Sequence, residues 1–237
     1  MNRNSKIIAS FIILSLILSF AACGEKDVSG SVTTPAAKTE VGWTNTAEPT
    51  TEEAAFETGS TEGGVYTNNF IGIGCKLDDN WSFYNDEQLA DLNGVVLDAL
   101  DDEALSEQFA KSVESGKTIY DMFAVSADGL ANLNIVIENL GLVYGTALDE
   151  SGYVNLGMKT VIQSFDAIGA SNVSVEKISV EFAGASRWAF TIYAEQSGVP
   201  LYEKAICIKK GNYMAVITLC CYYEDITDDL ATLFYSL

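Results

Sequence analysis

Tyr213-Met-Ala-Val-Ile-Thr-Leu-Cys-Cys-Tyr222 is apolar at nearly every position. A strand with one wet face alternates apolar and polar residues, because successive side chains point to opposite sides. A run without alternation reads as a strand covered on both faces, at the centre of its sheet.

Working outward, Lys210-Gly211 turns this strand back onto Leu201 to Lys209. Ser197-Gly198 and Ala183-Gly184-Ala185 separate two further β-rich runs, Arg187 to Glu195 and Val173 to Phe182. These spacings predict an antiparallel meander. Thr118 to Val125 and Leu133 to Glu138 flank Asp128-Gly129 and read as a hairpin. Tyr66 to Leu77 reads as an opening strand, its glycines at 72 and 74 permitting a bulge.

Helical spacing appears in several places. Asn85 with Gln88 three residues on predicts a capped helix start. Leu105, Phe109 and Val113 fall at intervals of four before Gly116. Val154, Met158, Val161, Ile162, Phe165 and Ile168 form one stripe over Gly152 to Ile168, and Ile226, Leu230, Leu233 and Phe234 another over Asp225 to Tyr235. Two amphipathic helices and one doubly buried sheet predict an α+β fold, an antiparallel β-sheet covered by helices on both faces.

The segment Tyr66-Thr-Asn-Asn-Phe-Ile-Gly-Ile73, followed by Leu77 and Trp81, resembles the opening of PsbP-like domains of bacterial lipoproteins. Relatives often carry Pro after the Leu, where this chain has Asp78. The resemblance implies the same α/β/α sandwich and, in some relatives, an accessory or binding role in larger assemblies. It implies no reaction.

The start of the chain has Arg3 and Lys6, then an apolar run from Ile7 to Phe20, then small residues. That is a secretory layout. The run falls short of the roughly 20 apolar residues a spanning helix needs. Phe20-Ala21-Ala22-Cys23 resembles the bacterial lipobox, which implies cleavage between Ala22 and Cys23 and diacylglycerol on the Cys23 thiol. Two acyl chains anchor stably where one does not. The expected organisation is a signal peptide over 1–22, a tether over 23–64 rich in Thr, Glu, Ser and Gly, and a globular domain over 65–237. The expected location is the extracytoplasmic face of a cell membrane.

The net charge is −20, from 13 basic and 33 acidic residues. Such a polyanion repels nucleic acid and anionic headgroups, so nucleic-acid binding and broad electrostatic adhesion are not expected. There is no histidine, which rules out Ser/His/Asp and Cys/His nucleophile systems. Cys75, Cys207, Cys220 and Cys221 lack zinc-site spacing and read as small buried residues, with Cys75 the thiol to test first. Gly116-Lys-Thr118 lacks the remaining glycine of a phosphate loop, and Gly72-Ile-Gly74 the third glycine of a dinucleotide fingerprint. No cofactor, metal or catalytic residue is assigned.

Trp81, Tyr84, Tyr222 and Tyr223 crowd the ends of the domain and form a candidate partner surface, since aromatics give large contact area. The resulting expectation is a lipid-anchored, non-catalytic binding or accessory module with a protein or cell-wall partner. The alternative is a small extracytoplasmic hydrolase using paired carboxylates.

Overall fold

The β-rich runs pair as their turn residues dictate. The computed structural model describes residues 56–99, 107 and 114–237. The strands are β1 (Ser60–Glu62), β2 (Val65–Asn68), β3 (Ile73–Lys76), β4 (Trp81–Phe83), β5 (Thr118–Ser126), β6 (Ala131–Asn139), β7 (Ser171–Phe182), β8 (Ala185–Gln196), β9 (Val199–Lys210), β10 (Tyr213–Tyr222) and β11 (Phe234–Ser236). The helices are α1 (Asp86–Ala99), α2 (Gly141–Ala147), α3 (Glu150–Ala167) and α4 (Thr227–Ala231). All strand pairs are antiparallel, in a seven-stranded sheet ordered β4-β5-β6-β10-β9-β8-β7 and a four-stranded sheet ordered β1-β2-β3-β11.

The doubly apolar strand is indeed central. β10 lies between β6 and β9, and from Met214 to Tyr222 every residue is buried. Each fully buried Val, Leu or Ile contributes about 1.5–3 kcal/mol over an exposed one. Ala215, Ile217, Leu219 and Cys221 face one core, while Met214, Val216, Cys220 and Tyr222 face the other.

What covers those faces corrects the expected helix-covered sandwich. The first core is closed by the four-stranded sheet, through Tyr66, Ile73, Cys75 and Phe234, with the five-residue α4 supplying Leu230. The described residues form mainly two antiparallel sheets with few helices. The closing helix expected over Asp225 to Tyr235 stops at Ala231, and Phe234–Ser236 pairs with β3 instead. Its apolar spacing suits a strand as well as a helix when the segment is this short. Tyr66 to Leu77 is likewise two strands, turning at Gly72 with a positive φ of 72°.

The second core receives α3, which packs on β7, β8 and β9 with Val154, Val161 and Phe165 inward. Ile162, placed in that stripe by spacing, is 37% exposed. Asp149 caps the helix by accepting from the Gly152 N–H at 2.7 Å. At α1 the capping box forms as expected: Asn85 Oδ1 accepts from Gln88 N at 2.9 Å and Gln88 Oε1 from Asn85 N at 3.0 Å. The helix expected around Leu105, Phe109 and Val113 lies outside the described residues.

The sheets are clamped through a bulge in β5 between Tyr120 and Met122. The extra residue, Asp121, accepts from the Tyr66 hydroxyl, from Asn68 Nδ2 at 2.7 Å and from the Gly59 N–H at 2.8 Å. A buried carboxylate is tolerated where donors converge on it.

Candidate functional site

Two carboxyls lie inside the second core. Glu138 on β6 and Glu203 on β9 are each 2% exposed, and neither carboxyl makes a hydrogen bond of normal geometry. Burial disfavours the charged form and pushes both up to about 8, while Tyr153 near Glu138 and Cys220 near Glu203 act in the opposite, weaker sense. Register places them on the same face of the sheet: Glu138 opposes Met214, and Glu203 opposes Cys220, which in turn opposes Asn132.

Sequence reasoning missed this pair, although a signal exists. Glu138 ends an apolar run, and the adjacent Glu203-Lys204 must send one charge to each face of a doubly buried sheet. Lys204 takes the other side and pairs with Asp228.

Perturbed carboxyls are what a hydrolase would use. Met214 and Cys220 are six residues apart on β10, so Glu138 and Glu203 are separated by about 20 Å along the strand direction. Glycosidase carboxyl pairs stand roughly 5–10 Å apart across one bond. The two therefore do not act on a common bond. A surface cleft of about 450 Å³ holds another two carboxylates, Glu181 and Asp228, beside Phe234 and Tyr235. Asp228 is already engaged by Lys204.

The four aromatics expected to form a partner surface do not come together. Trp81 is half-buried on edge strand β4 and packs on the first core. Tyr84 lies across Phe123, ring centroids 4.6 Å apart, on the opposite side of the sheet from that core, and burial raises its phenol pKa. Tyr222 is 4% exposed, and its hydroxyl accepts from the Cys220 thiol at 3.5 Å, so it presents no surface. Its position continues the alternation that buries Val216 and Cys220. Tyr223 is 60% exposed, with a positive φ of 70°, and donates its N–H to the Pro200 carbonyl at 3.0 Å. Two strands, β5 and β6, separate β4 from β10. Ala22 and Cys23, the cleavage and lipidation residues, lie outside the described residues.

Cys75, Cys207, Cys220 and Cys221 are all free and buried. Burial pushes Cys75 up to about 12 and Cys221 up to about 11, suppressing the thiolate that would make either reactive. Among the described residues, no three His, Cys, Asp or Glu are grouped to hold a metal, and no helix is long and apolar enough to cross a membrane.

No protein-family model matches the chain, and no curated protein matches it. Among solved structures, LpqN of Mycobacterium tuberculosis, described as involved in cell envelope biogenesis, aligns at 10% identity with a TM-score of 0.35. That alignment covers 69% of this chain and 82% of LpqN. So loose a likeness carries neither fold nor function across.

Proposed function

We propose that this chain is a bacterial envelope lipoprotein, anchored through Cys23 on the extracytoplasmic face of the membrane, whose β-rich domain is a non-catalytic binding or accessory module. The observation that carries the reading is the run from Arg3 to Cys23: basic start, short apolar stretch, small residues, cysteine. The PsbP-like segment from Tyr66 to Ile73 supports an accessory role, without the sandwich that the resemblance implied. The separation of Glu138 and Glu203 counts against those two as a hydrolytic pair.

Two measurements test it. Cys23→Ala should remove the acyl chains and shift the protein from the membrane to the soluble fraction; equal membrane retention would overturn the anchor. Crosslinking on intact cells should then capture a specific protein or wall component with the wild-type chain, and capture of nothing would overturn the binding role.

A further inference from the structure

The exposed apolar residues of this domain are not evenly scattered. Leu142, Val143 and Tyr144, consecutive on α2, are 77%, 75% and 42% exposed. Such residues usually fold inward or are trimmed to polar ones, so three in a row mark a surface that meets something apolar.

α2 is held firmly while presenting them. Gly145 is buried against Asn212, where a Cβ would stand 2.9 Å from the Asn212 Cα. Leu140 donates its N–H to the Asn212 carbonyl at 2.9 Å, and Lys209 Nζ donates to the Gly145 carbonyl at 2.7 Å. The apolar residues thus sit on a pinned element.

Two observations say what this element faces. The first is where the chain enters the domain. Phe56 stacks on Tyr213, ring centroids 4.7 Å apart, and Tyr213 follows the Asn212 that seats α2. The anchored segment therefore arrives at the α2 end of the sheet. Thirty-two residues lie between Cys23 and Phe56. The entry end is the one joined to the anchor, and α2 shares it.

The second observation is charge. The chain as a whole carries −20 and is repelled by anionic headgroups. Among the described residues at the α2 end, however, Lys117 and Lys210 are exposed and Lys209 is half-exposed, against the exposed carboxylates of Glu57, Glu114 and Asp149. Among the described residues this end is close to balanced. It is where an acidic domain meets an anionic surface with least repulsion, and its lysines can reach lipid phosphates.

From these we infer that α2 is a membrane-docking element: Leu142, Val143 and Tyr144 enter the headgroup–acyl boundary of the bilayer that holds Cys23, flanked by Lys117 and Lys210. A tyrosine suits that boundary, with an apolar ring and a wet hydroxyl. The inference rests on the lipid anchor proposed above.

The test uses the full lipidated chain in vesicles of phosphatidylethanolamine and phosphatidylglycerol, with Tyr144→Trp as reporter and the wild-type chain as background for Trp43, Trp81 and Trp188. Flotation reads the anchor; quenching by lipids brominated high on the acyl chain reads the docking. We expect the added indole to lose at least about half its emission. Adding Leu142→Asp and Val143→Asp should abolish that quenching without changing flotation, and both side chains are exposed enough that folding is not at issue. A chain that floats with its indole unquenched overturns the docking alone, and points α2 toward a protein or a second copy. A chain that does not float overturns the anchor, and this inference with it.

Discussion

The ring of Tyr235 lies against the bare backbone of Gly74, its directly opposed partner across β3 and β11. A Cβ on Gly74 would fall 2.4 Å from the ring carbon Cζ. The glycine leaves a gap in the strand and the aromatic fills it, which is how the last strand is held on a short edge.

Gly74→Ala should therefore loosen β11. The ring is 39% exposed and can swing out, so the expected cost is about 1–2 kcal/mol and not a failure to fold. In a Tyr235→Ala background the same substitution should cost little. Urea unfolding of the four proteins of that cycle checks the coupling.

Glu138 and Glu203 give the domain a pH dependence of defined sign. Each has a folded-state pKa near 8, above the ordinary glutamate value near 4.3. Between those values the unfolded chain has lost the proton that the folded chain keeps. Stability is therefore greatest below about pH 4.5 as far as these two groups decide it, falls by up to about 1.4 kcal/mol per pH unit for each as pH rises, and levels off above about 8. Glu203→Gln should remove one share of that slope, leaving stability at pH 5 near wild type and raising it at pH 8. Thermal melts across that range decide it. A parallel slope in the variant would mean that the glutamate does not titrate as described.

The Asp121 cluster should be the costliest polar site to disturb. Tyr66→Phe removes one donor and leaves Asn68 and the Gly59 N–H in place, for an expected loss of about 1.5–3 kcal/mol. Asp121→Ala strands three buried or half-buried donors at once and should cost more. Denaturant midpoints for the two variants give the ranking.

The four buried thiols should be silent in the native state. With Cys75 near 12 and Cys221 near 11, almost no thiolate exists at pH 8. A disulfide-exchange reagent should label them at the rate of global unfolding, and rapidly once denaturant is added. Fast native labelling of Cys75 would contradict its burial.

The elements were largely legible in the chain because they depend on local chemistry. The unbroken apolar run at Tyr213 to Tyr222 marked the central strand, Asp128-Gly129 and Lys210-Gly211 marked turns, and Asn85 with Gln88 marked a helix start. Period and turn type act within a few residues, so a sequence records them directly.

The ends of the domain were not legible in the same way. Ile226, Leu230, Leu233 and Phe234 have helical spacing, yet the chain from Phe234 becomes a strand because Gly74 offers a vacant edge position some 160 residues earlier. Trp81, Tyr84, Tyr222 and Tyr223 are close in type but not in space, because Trp81 faces one side of the sheet while Tyr84 and Tyr222 face the other, and two strands separate the pairs. Glu138 and Glu203 look like ordinary surface acids until the neighbouring strands bury them.

The sequence by itself determined the expected address at Cys23, the acidic character, the strand meander and the absence of histidine chemistry, since each is a property of composition or short-range pattern. Only the tertiary structure decided that a second sheet, not a helix, closes the first core, that Asp121 is the clamp between sheets, and that α2 and the entering chain share one end. Those are relations between residues far apart in sequence, set by which faces remain to be covered once the sheet has formed.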